Sequence, residues 1–397
     1  MSHSLTTYSR RLAYTLVVFV ALSLSVQHAN AQLVSYESDD GWNLGVTGAI
    51  PVFLNASTHT DFNADGSDQF ATRVMSGFNP GNITFTVTAP EQNGVTVSGV
   101  YQINHHLQGA SLQNDGLFEG RVAEIIVAGN FGTFNVGKGF GIFNSSSIGD
   151  NGSQLGVGRF AGPDAADATL GRIGAGYTYA NFNPRITYTT PDLSGFTLKV
   201  GLINPEKPSG SAVASRSAEI ETTAPRVEAQ ANYLLGFEGG NVDLWAGGLY
   251  QTVDVISENF DYGMTGWDVG ARLSVANVQL AGSYSQTEGI GADGLIGLSL
   301  EGDALAQANV NATQWYAEGL YDFGGVVFGA SYGEGSQDAT TTVLGSAPDI
   351  TNELLMVFSR ITVTDNLLLL LEFQDFATDA PSFTDYNAFI IGAQLTF

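Results

Sequence analysis

Val95-Thr96-Val97-Ser98-Gly99-Val100-Tyr101-Gln102-Ile103-Asn104 alternates almost without fault. Val95, Val97, Gly99, Tyr101 and Ile103 fall on one side, and Thr96, Ser98, Gln102 and Asn104 on the other. A period of two is the period of a β-strand, whose successive side chains point to opposite faces. The same pattern runs through Ile83-Thr84-Phe85-Thr86-Val87-Thr88. It returns at the far end, where Phe389, Ile391, Ala393, Leu395 and Phe397 share one face while Gln394 and Thr396 lie on the other. A strand with lipid on one face and water on the other needs this alternation. The most apolar late run, Asn366 to Phe373, is interrupted by Glu372 and falls far short of the roughly 20 residues of a spanning helix. Any membrane crossing by that part of the chain is therefore made by strands.

The connections carry more information than the strands. Short links are read at 90–94, 130–132, 191–194, 238–241, 276–277, 322–325 and 364–366. Longer polar stretches lie between them, at 55–71, 107–116, 139–172, 205–224, 255–264, 288–311, 333–350 and 377–385. Short and long alternate, as tight periplasmic turns and long outer loops do in an outer-membrane barrel. The reading is an all-β, transmembrane antiparallel barrel of about 16 strands, from near Trp42 to Phe397.

Residues 1–31 read as a signal peptide, and 32–397 as a single barrel domain. Arg10 and Arg11 supply a basic start, Leu12 to Val26 a short apolar run, and Ala29-Asn30-Ala31 a cleavage site of small residues. Removing that segment leaves 12 Lys and Arg against 39 Asp and Glu, a net charge of −27. Such a chain repels phosphate backbones, so nucleic acid is not a partner. With no cysteine there is no disulfide, thiol catalysis or Cys-bound metal. Three histidines follow the cleavage site: His59, His105 and His106. The adjacent pair would point to opposite faces of a regular strand, and no Ser/His pairing has support, so no enzyme is read here.

Three segments resemble the general porins of Gram-negative bacteria, a likeness that covers essentially the whole mature chain. Tyr188-Thr189-Thr190-Pro191-Asp192-Leu193-Ser194-Gly195-Phe196 is similar to the family's Tyr-x-Ser-Pro-x-Phe-x-Gly-Phe hairpin, with Thr190 and Leu193 departing from it. Phe131-Gly132-Thr133-Phe134-Asn135-Val136-Gly137-Lys138 resembles the segment leading into the third loop, with Lys138 where the family has Arg. Phe397 matches the C-terminal aromatic read by the barrel-assembly machinery. The resemblance implies a homotrimer in outer-membrane lipid, with the third loop folded into the lumen. It also implies passive diffusion of ions and small hydrophilic solutes, without a cofactor.

Family porins oppose loop acids to wall arginines at the constriction. By that resemblance, Asp150, Asp164 and Asp167 are the loop candidates, beside Arg159. Arg73, Arg121, Lys138 and Arg172 are the basic candidates. A lipid-facing charge is costly near the midplane, so arginines on strands should face water. If Arg121 does so, regular alternation sends Glu124 to the outer face. Tyr177 and Tyr179, just after the loop, fit either an aromatic track lining the pore or an interfacial girdle, the girdle being favoured. The first strand, Trp42 to Leu54, holds no basic residue, which together with the net charge favours cations. Asp61, Asn63 and Asp65 before Gly66 match the start of a calcium loop, but Thr72 stands where its bidentate Glu would be. Two alternatives remain open: a substrate-specific channel, and a structural or adhesive barrel with a closed pore. N-terminal sequencing of the exported protein is expected to begin at Gln32; a chain that still starts at Met1 would contradict the signal-peptide reading.

Overall fold

The computed structural model describes residues 34–107, 118–160, 168–208, 220–299 and 304–397. Within these residues sixteen antiparallel strands close into a barrel. They are β1 (Asn43–His59), β2 (in two parts, Gln69–Met75 and Gly81–Thr88), β3 (Val95–His105), β4 (Phe118–Gly129), β5 (Gly132–Phe140), β6 (Phe182–Thr189), β7 (Phe196–Ile203) and β8 (Arg226–Phe237). The second half is β9 (Gly240–Val255), β10 (Phe260–Val275), β11 (Val278–Glu288), β12 (Asn311–Asp322), β13 (Val326–Gln337), β14 (Ile350–Thr364), β15 (Leu367–Thr378) and β16 (Tyr386–Thr396). Each strand pairs with its neighbours in sequence, and β16 closes on β1 from Thr396 opposite Ala49 to Tyr386 opposite His59. A short strand, Val34–Glu37, continues the seam by pairing with the start of β1. Phe397 completes it: its N–H and C=O exchange hydrogen bonds with Gly48, at 3.0 and 2.8 Å. Closure gives each of the sixteen barrel strands a partner on both sides, the requirement for a backbone surrounded by lipid.

Alternation gives the wall two unlike faces. Ile50, Val52 and Leu54 are exposed while Pro51, Phe53 and Asn55 are buried; in β16, Phe389 and Ile391 are exposed while Ala388 and Ile390 are buried. Connections alternate in length as read. Several boundaries shift: the first long stretch shrinks to 60–68 and the seventh to 338–349, and the fifth shrinks to 256–259, because β9 and β10 pair out to Val255 opposite Phe260. The third grows to 141–181, since β6 begins only at Phe182, after the left-handed Asn181. The signal segment lies outside the described residues.

Two irregularities decide which side chains share a face. In β2 the register breaks: Phe53 pairs with Met75 but Ala49 with Asn82, so residues 76–81 stand opposite only 50–52. This sets Arg73, opposite Asn55, on the covered face with Ala71 and Met75. In β4 the register slips, with Gln102 opposite Val122 and Ile103 opposite Gly120. Arg121 is the extra residue of a β-bulge, and a bulge resets the alternation. Glu119, Arg121, Val122 and Glu124 therefore all lie on the covered face, so the expected outward placement of Glu124 is corrected.

A methyl added at Gly270 would overlap the buried ring of Trp245 on the neighbouring strand. Gly270→Ala is therefore expected to lose about 1–3 kcal/mol from overpacking, read as a lower urea midpoint in detergent. An unchanged midpoint would contradict this packing.

Candidate functional site

The described residues of the connection 141–181, 141–160 and 168–181, do not form an exposed loop. They lie along the covered face of the wall, and their backbone is tied to β8, β12 and β15 by three glutamates. Glu228 on β8 accepts the N–H groups of Ile142 and Phe143. Glu318 on β12 accepts those of Asn151 at 2.9 Å and Gly152 at 3.2 Å, and the Asn151 side-chain amide at 2.7 Å. Glu372 on β15 accepts those of Val157 and Gly158, each at 3.0 Å. All three carboxylates are buried. Each thus meets two consecutive amides, an arrangement that offsets the cost of burying both the acid and the peptide groups. Arg226 sits beside Glu228 at 2.7 Å and donates to Ala180 O as well.

Other strands add single bonds. Ser147 Oγ accepts from Trp245 Nε1 at 3.2 Å and from Ser283 Oγ at 2.7 Å, while Ser147 O accepts from the Tyr316 hydroxyl. Arg272 donates to Gly149 O and Arg172 to Leu354 O. A second connection folds over the first: Tyr179 N donates to Gly294 O at 2.6 Å, and Ala292 N to Gln337 Oε1 at 2.7 Å. Phe143, Ile148, Ile173, Tyr177, Ile290, Leu295 and Ile296 form an apolar core between these segments and the wall. Tyr177 and Tyr179 therefore belong to this interior, not to a girdle. The Tyr177 hydroxyl accepts from Arg172 N at 3.0 Å.

The expected site residues part company. Asp150 and Arg172 do meet, at 3.5 Å, but both are fully buried, so neither borders open space. Burial pushes the Asp150 carboxyl up, and Arg172 and Ser153 pull against that shift. Arg159 is also buried, stacked 4.9 Å from the Phe376 ring and 4.6 Å from that of Phe383. Lys138 shares the exposed face with Phe134 and Val136, and its Nζ donates to Gly120 O at 2.7 Å. It is thus on the side opposite Arg121. Asp164 and Asp167 lie outside the described residues. The Asp61–Gly66 stretch is a hairpin tip: Asp65 accepts from the Ser67 hydroxyl and N–H, which lower its pKa, and Asn63 turns its amide toward Ser67 and Asp68. Among the described residues no cluster of three or more His, Asp or Glu is arranged to hold a metal.

The covered face stays partly open along β2–β6. Thr86, Ser98, Gln102, Glu119, Arg121 and Asn135 all keep some exposure there, whereas Gln230, Asp268, Ser285, Gln314, Ser331 and Gln374 on β8–β15 are buried. Arg73 lies on this open side, donating to its neighbour's carbonyl, Thr72 O. Arg121 is held by Glu119 at 2.6 Å, and Arg185 pairs with Glu124 at 3.0 Å. Sequence reasoning missed Glu228, Glu318 and Glu372, although Glu372 left a visible sign as the one acid inside an apolar run. It also missed Glu119 and Arg185, and it expected Glu124 on the other face.

A family model for Gram-negative porins matches residues 13–352. The chain belongs to the Gram-negative porins. It is accordingly an outer-membrane β-barrel channel for the diffusion of small solutes. No curated protein sequence matches it. Among solved structures, the outer membrane channel DcaP of Acinetobacter baumannii is 15% identical, with a TM-score of 0.66 over 91% of this chain and 99% of that one. An anion-selective porin from Comamonas acidovorans is 14% identical, with a TM-score of 0.62 over 90% and 100%. The trimer form of OmpT from Vibrio cholerae is 14% identical, at 0.56 over 90% and 100%. At such identities the likeness concerns the fold.

Glu318→Leu removes the acceptor for two backbone amides of this porin at a local cost of about 3–5 kcal/mol. The strand ladder should survive, seen as retained heat-resistant migration in detergent, while single-channel current becomes noisier. Current as quiet as that of the parent would contradict the anchoring role.

Proposed function

We propose that this porin forms a water-filled channel in which the connection 141–181 lies across the lumen and confines solutes to a passage along β2–β6. The observation that carries the reading is the contrast on the covered face between Gln230, Asp268, Ser285, Gln314, Ser331 and Gln374, buried against the connection on β8–β15, and Gln102, Glu119 and Arg121, partly open on β3 and β4. Ions and small hydrophilic solutes cross by diffusion, with no bond made or broken. The preference is mildly for cations. Glu119 is the more exposed partner of the Glu119–Arg121 pair, with 42% of its side chain open against 16% for Arg121. Charges facing each other across a narrow passage act on a solute more strongly than on an open surface. The porin works as a homotrimer, a reading supported by family membership and by its likeness to a porin solved as a trimer. Export removes residues 1–31, and the terminal Phe397 is the mark taken by the assembly machinery.

A second reading, a substrate-specific channel, is favoured by one observation: the connection after β11 packs onto 141–181 and thickens the inner layer. Planar-bilayer recording separates the two. Ohmic steps closing in threes, with a cation-directed reversal potential in a potassium chloride gradient, are expected. Arg121→Ala should raise the cation preference further. Silence, block by a single low-concentration solute, or anion preference would contradict the proposed reading.

A further inference from the structure

Resting on that reading, a histidine at the edge of the open side joins the inner segment to the charges that border the passage. His106 follows β3 and is almost fully buried, at 2% exposure. Its Nδ1 accepts the backbone N–H of Ala168, at 3.1 Å, on the returning limb of the connection 141–181. Its Nε2 lies 2.8 Å from Glu119 Oε1. A ring nitrogen that accepts an N–H carries no proton, so the neutral ring must hold its proton on Nε2 and donate it to Glu119. The other oxygen of Glu119 accepts from Arg121 Nε at 2.6 Å. Arg121 in turn lies 5.5 Å from the centre of the Phe182 ring.

Among the described residues, the groups that face this histidine are Glu119 and Arg121 from β4 and the Ala168 amide from the inner segment. The Ser76 hydroxyl, from the break in β2, binds the neighbouring Leu107 N–H at 2.8 Å. Tyr179 stands near enough to Arg121 and Glu119 for their charges to act on its hydroxyl. His105 takes no part, because its ring packs on Phe118 on the exposed face.

We propose that the His106–Glu119–Arg121 array is a proton-operated selector that lowers the cation preference of the passage in acid. With His106 neutral, the array is one carboxylate and one guanidinium, with no net charge. A proton added at Nδ1 makes the array singly positive beside the ion path. The same proton turns the acceptor of the Ala168 N–H into a donor, so two N–H groups face each other and that tether is lost.

The test is the reversal potential of the full mature protein in a potassium chloride gradient, from pH 8 to pH 5. The parent is expected to lose about twofold in cation-over-anion permeability, the effect of one charge near the path. His106→Gln, which keeps a donor and an acceptor but takes no proton, is expected to give a flat profile. Glu119→Gln should show at pH 8 the lower ratio that the parent reaches only in acid. A parent without a pH shift, or a shift retained in His106→Gln, would overturn the proposal. Nitrogen spectra of 15N-histidine protein in detergent, assigned with His106→Gln, read the array without conduction. A proton on Nε2 at pH 8 supports the proposal and a proton on Nδ1 overturns it, whereas a silent channel overturns only the diffusion reading.

Discussion

Backbone amides taken away from water must find acceptors, and the inner segment of this porin finds them in three buried carboxylates. Glu228, Glu318 and Glu372 are spaced along the wall on β8, β12 and β15, and each receives a consecutive pair of N–H groups from the connection 141–181. An unpaired buried amide costs about 1–3 kcal/mol, and a buried acid without donors costs more. Neither partner is stable in this place alone. The layer of Phe143, Ile148 and Tyr177, the fold of 289–310 over it, and the open strip along β2–β6 all depend on the segment being held against that one side of the wall.

The anchors also change what the net charge means. The chain's net charge of −25 invites a picture of a uniformly negative channel. Part of that charge is spent on structure, since Glu228, Glu318, Glu372 and Asp150 are buried among donors. The hairpin-tip acids Asp61, Asp65 and Asp68 sit at the far end of a long loop. On the covered face of β4–β6 the charges come in pairs, Glu119 with Arg121 and Glu124 with Arg185. Ion preference therefore rests on which member of a pair meets water, and not on the total.

The barrel itself was legible in the sequence, because lipid on one side and a polar interior on the other impose the period of two on every strand. The site was legible only in outline. Arg121 was found by its cost on a lipid face, but the bulge that carries Glu124 to the same face leaves no mark in the residue pattern. Lys138 was misplaced by trusting a motif over register. Asp150 and Arg172 were named only as a loop acid and a basic candidate, since a resemblance to an inward loop does not say which of its residues face the wall; they meet each other in a fully buried pair. Glu228, Glu318 and Glu372 look like any other acids until their partners, up to 215 positions away in sequence, are known.

A chain without cysteine allows the central claim, an inner segment sealing one side and leaving the other open, to be tested by single thiols. Gln102→Cys on β3 and Ser331→Cys on β13 lie on the same face of the barrel, the first partly open and the second 2% exposed. With a small charged thiol reagent added during bilayer recording, Gln102→Cys should react quickly and change the current, while Ser331→Cys stays inert. Equal reaction at both positions, or reaction at Ser331→Cys alone, would contradict the account.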